Sequence, residues 1–167
     1  MKEIKLYNSE LVTLIDDADF KKYGDISWRV QPSVYTNYCR KWMGGRLVYL
    51  HRLILGLVDP KIHVDHINGD GLDNRRINLR TVTSSQNHMN RRKQLLRSGK
   101  PPSSKHKGVH LFKRDGTWMA YASINGVRYF LGYHKKEVDA ALAYNKFAKE
   151  HYGEFAKLNE IPEGDNN

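Results

Sequence analysis

Residues 98–104, Ser-Gly-Lys-Pro-Pro-Ser-Ser, constrain the fold more than any other feature of this chain. Two adjacent prolines among serine and glycine resist both helix and sheet, which predicts a linker at this position. The linker divides the 167 residues into a part of residues 1–97 and a part of residues 105–160. Hydrophobic residues make up 40% of the chain, so each part can form a core, although a modest one.

Basic residues outnumber acidic ones and are unevenly placed. There are 28 Lys and Arg against 18 Asp and Glu, a formal charge of +10, and residues 88–114 hold nine Lys or Arg and no acid. Such a block beside an aromatic-rich segment is typical of a protein that contacts a phosphate backbone, with a solvated linker as the alternative. A membrane surface is disfavoured, because the sequence shows no long amphipathic basic helix. We therefore expect a nucleic acid as the partner, and the sequence indicates no protein partner.

The chain has a single cysteine, Cys39. One cysteine excludes an internal disulfide framework and a Cys-rich zinc knuckle, and it fits a reducing compartment. The N-terminus shows no apolar stretch of signal-peptide length, and no run approaches the roughly 18 apolar residues that a membrane span needs. We therefore expect a protein of the cytoplasm.

Residues 1–57 have the pattern of a β-rich region. Runs of β-branched and aromatic residues predict strands over residues 10–16, 28–38 and 46–50, with a short turn or helix over residues 16–23. Gly44 and Gly45 predict a hairpin tip. A short helix is expected over residues 49–57, because its leucines and isoleucine fall on one face.

Residues 61–96 predict the order strand, loop, strand, helix. The strands cover residues 62–67 and 78–83, and the turn signal Asn-Gly-Asp-Gly lies between them at residues 68–71. Ser84 or Ser85 is expected to cap a helix that continues to Leu96.

Residues 105–160 predict a three-stranded antiparallel sheet packed on one helix, which makes the chain an α+β protein. The strands cover residues 106–112, 117–124 and 127–131, and Asp-Gly and Asn-Gly pairs form the two hairpins. A helix is expected over residues 135–152, with Gly153 as its stop. Its predicted buried stripe consists of Val138, Ala141, Leu142, Asn145 and Ala148.

A cluster of polar residues around the turn at residues 68–71 suggests phosphodiester hydrolysis. His63, Asp65 and His66 are followed by Asn74, Asn78 and Asn87. A histidine can deprotonate water near neutral pH, and carboxylate and amide oxygens suit a hard divalent cation that neutralises the phosphate. Taken singly, such residues are more often ordinary surface or turn residues. Adjacent strand residues also point to opposite faces, so Asp65 and His66 can share a site only where the strand ends, twists or bulges.

The 25 residues that begin at His63 and end at Asn87 resemble the His-Asn-His (HNH) endonuclease family, in particular phage and intron-encoded homing endonucleases. The resemblance implies a ββα-metal module with one Mg²⁺ or Mn²⁺. By position, His66 matches the general base, Asp65 and Asn87 the metal ligands, and Asn78 the asparagine that holds the loop and orients the base. His63 and His88 are expected to be bystanders or phosphate contacts. A zinc site of His63, His66 and Cys39 is the competing arrangement, which the lack of a Cys pair disfavours.

The C-terminal part resembles the Apetala/ethylene-response-factor DNA-binding domain. The resemblance is carried by residues 104–110, 116–120, 130–133, 140–145 and 153–159. It implies that one sheet face meets the major groove, and the residues expected on that face are Lys107, Lys113, Arg114, Trp118 and Arg128. Burial of Trp118 and Tyr121 in the core is the alternative. Plant members carry arginine where this chain has Lys107 and His110, so their base preference is not transferred.

Taken together, these features predict a homing-type endonuclease that a C-terminal domain positions on duplex DNA. Arg91 and Arg92, in the basic stretch between the two parts, are expected to contact phosphates. A monomer would offer one active site and is expected to nick. Two other classes stay open: a non-catalytic DNA-binding regulator with a relict nuclease fold, and a zinc-bridged nucleic-acid adaptor.

Overall fold

A computed structural model describes residues 1–7, 9–93 and 101–162 of the chain. The chain divides into two compact units, Met1–Asn87 and His88–Asn167, which are described separately below. Of the predicted linker, residues 98–100 lie outside the described residues, and residues 101–104 form neither helix nor strand. The domain boundaries predicted from the sequence stay a prediction.

Unit 1 begins with a hairpin and a three-stranded sheet. Strands β1 (Lys2–Lys5) and β2 (Val12–Ile15) pair antiparallel and are followed by helix α1 (Asp17–Tyr23). Strands β3 (Arg29–Pro32), β4 (Asn37–Met43) and β5 (Arg46–Tyr49) form the sheet, and helix α2 covers Leu50–Ile54. The helix and the Gly44–Gly45 hairpin tip were predicted, but α2 is shorter than expected. The predicted strand over residues 28–38 is wrong as a single element, because a turn closed by Ser33 N–H and Thr36 O (3.1 Å) separates β3 from β4.

A second hairpin of unit 1 is followed by a helix that begins in unit 1 and ends in unit 2. Strands β6 (His63–His66) and β7 (Leu79–Val82) pair antiparallel, a turn of 3-10 helix (Arg76–Asn78) precedes β7, and helix α3 covers Ser84–Asn90. The predicted order strand, loop, strand, helix is therefore confirmed. The predicted helix end at Leu96 is wrong, because residues 91–93 are not helical; residues 94–96 lie outside the described residues.

The start of α3 differs from the prediction. Thr83 Oγ1 accepts a hydrogen bond from the Gln86 backbone N–H (3.2 Å), and Gln86 Oε1 accepts one from the Thr83 N–H (2.9 Å). This reciprocal pair is a capping box with Thr83 as the N-cap, so the expectation that Ser84 or Ser85 caps the helix was wrong.

The core of unit 1 lies between the two hairpins and the helices. Trp28 is fully buried and donates its indole N–H to the Tyr23 carbonyl (3.0 Å), which satisfies the polar atom of a large core side chain. The residues buried around it are Ile4, Leu6, Ile15, Cys39, Leu50, Ile54, Leu72 and Leu79. Leu72 lies within the loop after β6 and Leu79 is the first residue of β7, so this core holds the loop at its middle and at its end.

Unit 2 is a three-stranded antiparallel sheet covered by one helix. Strands β8 (Val109–Phe112), β9 (Thr117–Ile124) and β10 (Val127–His134) lie in the order β10-β9-β8, and helix α4 covers Glu137–Tyr152. The predicted sheet and helix are confirmed, although β10 is longer than expected and is irregular between Phe130 and Gly132. None of the helices in the described residues is long and apolar enough to cross a membrane.

The buried stripe of α4 differs from the prediction. Ala140, Tyr144, Ala148 and Tyr152 are buried at intervals of four residues, and Ala141 is buried beside them. Leu142 is 43% exposed, so its predicted place in the stripe was wrong. The small alanines let the helix lie close to Val109, Ala120 and Ala122 of the sheet, which leaves no room for larger aliphatic side chains.

Candidate functional site

The loop between β6 and β7 is closed by the side chain of Asn78. Its Oδ1 accepts a hydrogen bond from the Asn68 backbone N–H (3.0 Å), and its Nδ2 donates to the Asp73 carbonyl (2.8 Å). The backbone of Asn78 also accepts from the Ile67 N–H (2.9 Å). Asn78 is buried, so these bonds are shielded from water and hold both sides of the loop in one arrangement.

Two arginines stabilise the loop, Arg75 by an ion pair within it and Arg76 by an ion pair with α1. Arg75 makes a bidentate contact with the buried carboxylate of Asp73 (Nε–Oδ1 2.7 Å, Nη2–Oδ2 2.6 Å). Arg76 does the same with the buried carboxylate of Asp19 in α1 (2.7 and 2.8 Å). The hydrogen bond from Arg75 lowers the pKa of Asp73, so this carboxylate stays charged at neutral pH.

His66 lies at the end of β6 and is 5% exposed. Its Nε2 lies 3.4 Å from Asn74 Oδ1, and its ring lies edge to face with the His51 ring (centroids 5.2 Å) and near the Tyr38 ring (5.9 Å). Burial lowers the pKa of the His66 imidazole, although the hydrogen bond with Asn74 and the charge of Asp65 act in the opposite direction. A histidine in this setting is neutral at neutral pH and can accept a proton.

Asp65 is buried beside His66 and faces Arg80. The two residues are register partners in the β6–β7 hairpin, and Arg80 contacts Asp65 Oδ2 through Nε (3.0 Å) and Nη2 (2.9 Å). Asp65 is 8% exposed, so both adjacent residues of the strand are buried. β6 ends at His66, and the charge of Asp65 is close enough to influence the His66 imidazole.

The residues expected to bind a metal have oxygen donors. Asp65 supplies a carboxylate, and Asn87, half-buried on α3, supplies an amide; the backbone N–H of Asn87 donates to Thr83 O (3.0 Å). A carboxylate and an amide leave a divalent cation with net positive charge for a phosphate, so this donor set fits Mg²⁺ or Mn²⁺.

The competing zinc arrangement is not supported by the geometry. The described residues contain no group of three or more His, Cys, Asp or Glu that could hold a metal ion. His63 is exposed, and Cys39 is buried in the core, where burial raises the pKa of its thiol. A protonated thiol is a poor zinc ligand.

His51 belongs to this site although no pattern in the sequence singled it out. It lies on α2, stacks on the Tyr49 ring (centroids 5.4 Å) and contacts the His66 ring. Burial, with His66 and Arg52 nearby, lowers the pKa of His51 to about 3. Its buried Nδ1 has no hydrogen-bond partner within the described part of the chain. The one sequence signal was its position in Leu-His-Arg-Leu-Ile, upstream of the polar cluster.

In unit 2, planar side chains from all three strands stack on one another. The guanidinium of Arg128 lies 3.6 Å from the centroid of the Tyr121 ring, and the His110 ring stacks on Tyr121 (4.9 Å, interplanar angle 5°). His110 Nε2 is also 2.7 Å from Tyr121 Oη. Strand alternation places these residues on the face opposite to the buried Ala120 and Ala122, and therefore away from α4.

The same free face carries an aromatic cluster. Phe130 and Tyr133 are more than half exposed and their rings contact each other (5.0 Å), and Phe112 contacts Tyr133 (5.3 Å). Lys113 and Arg114, in the β8–β9 turn, are exposed, and Arg114 pairs with Asp115 (2.8 Å). Arg91 and Arg92 follow α3 and are exposed as well.

Trp118 was expected on the exposed face, and this expectation was wrong. Trp118 pairs with Leu111 in the register and packs against the cluster of Val109, Ala120 and Ala140 under the helix. The alternation of β9 decides its side, because Trp118 has the same parity as the buried Ala120.

Lys107 was also expected on the exposed face and lies elsewhere. It precedes β8, and its ammonium donates to the carbonyls of His88 (3.1 Å) and Met89 at the end of α3. Burial, with Lys157 and Arg91 nearby, lowers the pKa of Lys107 to about 7. These bonds satisfy two carbonyls in the last turn of α3, which ends at Asn90.

A basic cleft of about 660 Å³ lies beside Lys107. Its lining contains one acid, Glu160, and five basic residues: Arg92, Lys93, Lys105, Lys107 and Lys157. The ammonium of Lys93 already donates hydrogen bonds to the His106 and Val109 carbonyls (3.0 and 2.8 Å).

Comparison with known proteins found a family similar to the part of the chain that contains the first site. Residues 48–89, which include His51, Asp65, His66, Asn78 and Asn87, match the family model described as HNH endonuclease. The chain is similar to an uncharacterized HNH endonuclease of Acanthamoeba polyphaga mimivirus, with 34% identity over 114 residues, 68% of this chain and 56% of the relative. The chain thus spans about half the length of that curated relative. No solved structure matches the chain.

The two matches make this chain similar to HNH endonucleases, over residues 48–89 for the family model and over 114 residues for the viral relative. The family match ends at residue 89 and leaves the sheet of unit 2 outside it.

Proposed function

We propose that this chain is a homing-type HNH endonuclease that hydrolyses phosphodiester bonds in duplex DNA with one bound Mg²⁺ or Mn²⁺. The observation that carries the proposal is the buried pair of Asp65 and His66 at the end of β6, beside a loop that Asn78 closes. A rigid, partly dehydrated base next to a carboxylate is what metal-assisted hydrolysis requires.

His66 acts as the general base. Its lowered pKa keeps the imidazole neutral at neutral pH, so it can take a proton from the attacking water. The rings of His51 and Tyr38 pack against it and limit its rotation.

Asp65 and Asn87 would hold the cation. A bound divalent cation supplies positive charge for the scissile phosphate and the leaving 3′ oxygen. Arg80 orients the Asp65 carboxylate through Oδ2, and the capping box of Thr83 and Gln86 fixes the first turn of α3, on which Asn87 lies.

Unit 2 positions the protein on DNA, in the manner of an Apetala/ethylene-response-factor domain. The free face of its sheet offers Arg128 on Tyr121 and exposed rings for base edges and sugars, and Lys113 and Arg114 lie beside it for phosphates. Arg91 and Arg92 contact phosphates outside the sheet. Lys107 and Trp118 are not part of this contact. Lys107 donates to a carbonyl of α3, and Trp118 packs against the core under α4.

We expect the active form to be a monomer of the cytoplasm, encoded by a phage or its bacterial host, that nicks one strand per binding event, because one chain offers one such site.

A plasmid assay tests the activity. Supercoiled plasmid and long phage-type DNA are incubated with the full chain in magnesium or in chelator, beside Asp65→Ala. His63→Ala is the matched control, because His63 is an exposed histidine of the same strand. Wild type and His63→Ala should nick the DNA in magnesium alone, and Asp65→Ala should not.

Two results would count against the proposal. Failure of the wild type to cut any substrate with metal, while it still binds DNA, would favour a non-catalytic DNA-binding regulator. Equal scission by Asp65→Ala would remove Asp65 from the metal site.

A further inference from the structure

The side-chain amide of Asn74 is fully buried and has partners on both sides. Its Nδ2 lies 2.7 Å from Thr13 Oγ1 and 3.4 Å from the Gly71 carbonyl oxygen, and its Oδ1 lies 3.4 Å from His66 Nε2. The nitrogen and oxygen of an amide are nearly alike in size, so the orientation of such a group follows from its hydrogen-bond partners.

Thr13 determines the orientation of the amide. Its Oγ1 lies 2.7 Å from the Leu72 carbonyl oxygen, which can only accept, so the single hydroxyl hydrogen points to Leu72. Thr13 Oγ1 must then accept a hydrogen from Asn74, which requires the NH₂ end on that side. The Gly71 carbonyl independently requires the NH₂ end as well. Asn74 Oδ1 therefore faces His66.

The orientation of the Asn74 amide determines which nitrogen of the His66 imidazole carries the hydrogen. Because Asn74 Oδ1 can only accept, His66 Nε2 must carry the hydrogen between them, and a neutral imidazole has only one N–H. We propose that Thr13 and Asn74 are positioning residues that set the tautomer of His66, which places the lone pair on Nδ1. This inference rests on the proposed function only in naming Nδ1 as the atom that accepts the proton from water.

Strand β2 holds the hydrogen-bonded series Thr13, Asn74 and His66, called the relay below, in a fixed arrangement. The Leu14 N–H donates to Leu72 O (2.8 Å), and the Asn74 N–H donates to Leu14 O (2.8 Å). The strand is therefore hydrogen-bonded to the loop on both sides of Asp73. Thr13 and Asn74 are both 0% exposed, which leaves water no access to compete for these bonds. Thr13 lies outside residues 48–89, so the relay depends on a strand that the family match does not contain.

Nuclear magnetic resonance of the ¹⁵N-labelled full chain tests the tautomer directly. In a long-range ¹H–¹⁵N correlation, at a pH where His66 is neutral, Nε2 should show a protonated-type shift and Nδ1 an unprotonated-type shift. The reverse pattern, or an even mixture, would overturn the proposal. The measurement needs neither DNA nor metal, so it stands even if the chain does not cut DNA.

A pair of Thr13 variants tests the relay. Thr13→Val keeps the shape but removes the acceptor for Asn74, so the His66 signals should move toward a mixture of tautomers. The kcat for cleavage should fall about tenfold or more with KM for DNA unchanged, since a general base contributes roughly 10²- to 10⁴-fold. Thr13→Ser keeps the hydroxyl and should restore both readouts.

Two outcomes would refute the relay. Equal kcat and equal His66 spectra for Thr13→Val and Thr13→Ser would exclude it, as would a change in KM alone. If Thr13→Val does not fold, Asn74→Asp gives the answer, because its carboxylate still accepts from His66 Nε2 and should preserve the tautomer. In that variant, a neutral His66 imidazole that carries its one hydrogen on Nδ1 would overturn the proposal.

Discussion

At the scale of single residues, two asparagines of unit 1 perform different tasks with the same side chain. Asn78 bonds to backbone groups on both sides of the loop, and Asn74 links the hydroxyl of Thr13 to the ring of His66. An amide can donate and accept at once, which a carboxylate cannot do at neutral pH. Asparagine is therefore the residue that can connect a carbonyl or hydroxyl on one side with a base on the other.

The buried His51 makes the stability of unit 1 depend on pH. Its pKa is about 3 in the folded chain and about 6.5 in the unfolded chain. Below pH 6.5 the unfolded chain therefore binds a proton that the folded chain does not, and the free energy of unfolding falls by about 1.4 kcal/mol for each pH unit down to about pH 3.

Urea denaturation of wild type and His51→Phe at about pH 7 and about pH 5 measures this contribution. The wild type should lose more stability than the variant between the two conditions. The loss in the variant should be smaller but not zero, because the pKa of His66 is lowered as well. An equal loss in both proteins would show that His51 is not buried as described.

How far the sequence predicts the site depends on the distance along the chain between partners. Asp65, His66 and Asn78 could be predicted, because they lie within one compact motif. Thr13 could not, since it lies 61 residues before Asn74 and carries no local signal. Trp118 was placed on the wrong face because composition alone does not reveal which parity of a strand meets the helix.

At the scale of elements, the first turn of α3 depends on the capping box. Thr83→Ala removes the acceptor for the Gln86 N–H and should lower the free energy of unfolding by about 1 kcal/mol. Ser84→Ala, at the next position, is the matched control and should change little, because Ser84 is exposed. Denaturation of both variants measures the difference, and an equal loss for Ser84→Ala would contradict the cap assigned to Thr83.

Gly108 tests the packing of α4 on the sheet. Its φ is +75°, and an added Cβ would meet the Tyr144 ring of α4 and lie 2.5 Å from the Tyr121 carbonyl oxygen. Gly116 has a similar φ of +67°, but a Cβ added there would have no atom within 4 Å. A substitution at Gly116 therefore measures the cost of the backbone conformation alone.

Thermal denaturation compares the two glycines. Gly116→Ala should cost about 1 kcal/mol, and Gly108→Ala should cost about 3 kcal/mol or more, because backbone and ring must also move apart. Similar costs for the two variants would mean that α4 does not pack as closely as described.

Elements were predictable where turn signals and periodicity agree. The hairpins of unit 2 and the order of β6, β7 and α3 follow from Gly-containing turns between alternating runs. The contact that satisfies carbonyls at the end of α3 was not predictable, because it comes from the ammonium of Lys107, seventeen residues beyond Asn90. Strand β1 was not predicted, since four residues with one buried side chain give almost no pattern.

At the scale of the whole molecule, the chain carries a formal net charge of +10. In unit 2, Arg92, Lys105 and Lys157 line the basic cleft with no ion-pair partner among the described residues. If phosphates of DNA contact these side chains, counterion release makes affinity depend steeply on salt.

Fluorescence anisotropy of labelled DNA at several salt concentrations tests this contact. Neutralising Arg92, Lys105 and Lys157 to glutamine should reduce the slope of log affinity against log salt by about 2.7, or about 0.9 for each phosphate that the protein no longer neutralises. Lys135, Lys146 and Lys149 are exposed, lie outside the cleft, and give a control triple of equal charge change. A control triple that reduces the slope as much would show that net charge, and not the cleft, sets the dependence.

The central claim is that His66 is the base of a metal-dependent endonuclease. The most direct measurement is the cleavage rate of DNA in magnesium by wild type and His66→Ala, with the affinity of both for the same DNA measured in chelator. We predict that His66→Ala binds DNA as the wild type does and cuts it at least about 10²-fold more slowly. Cleavage by His66→Ala at the wild-type rate would contradict the account.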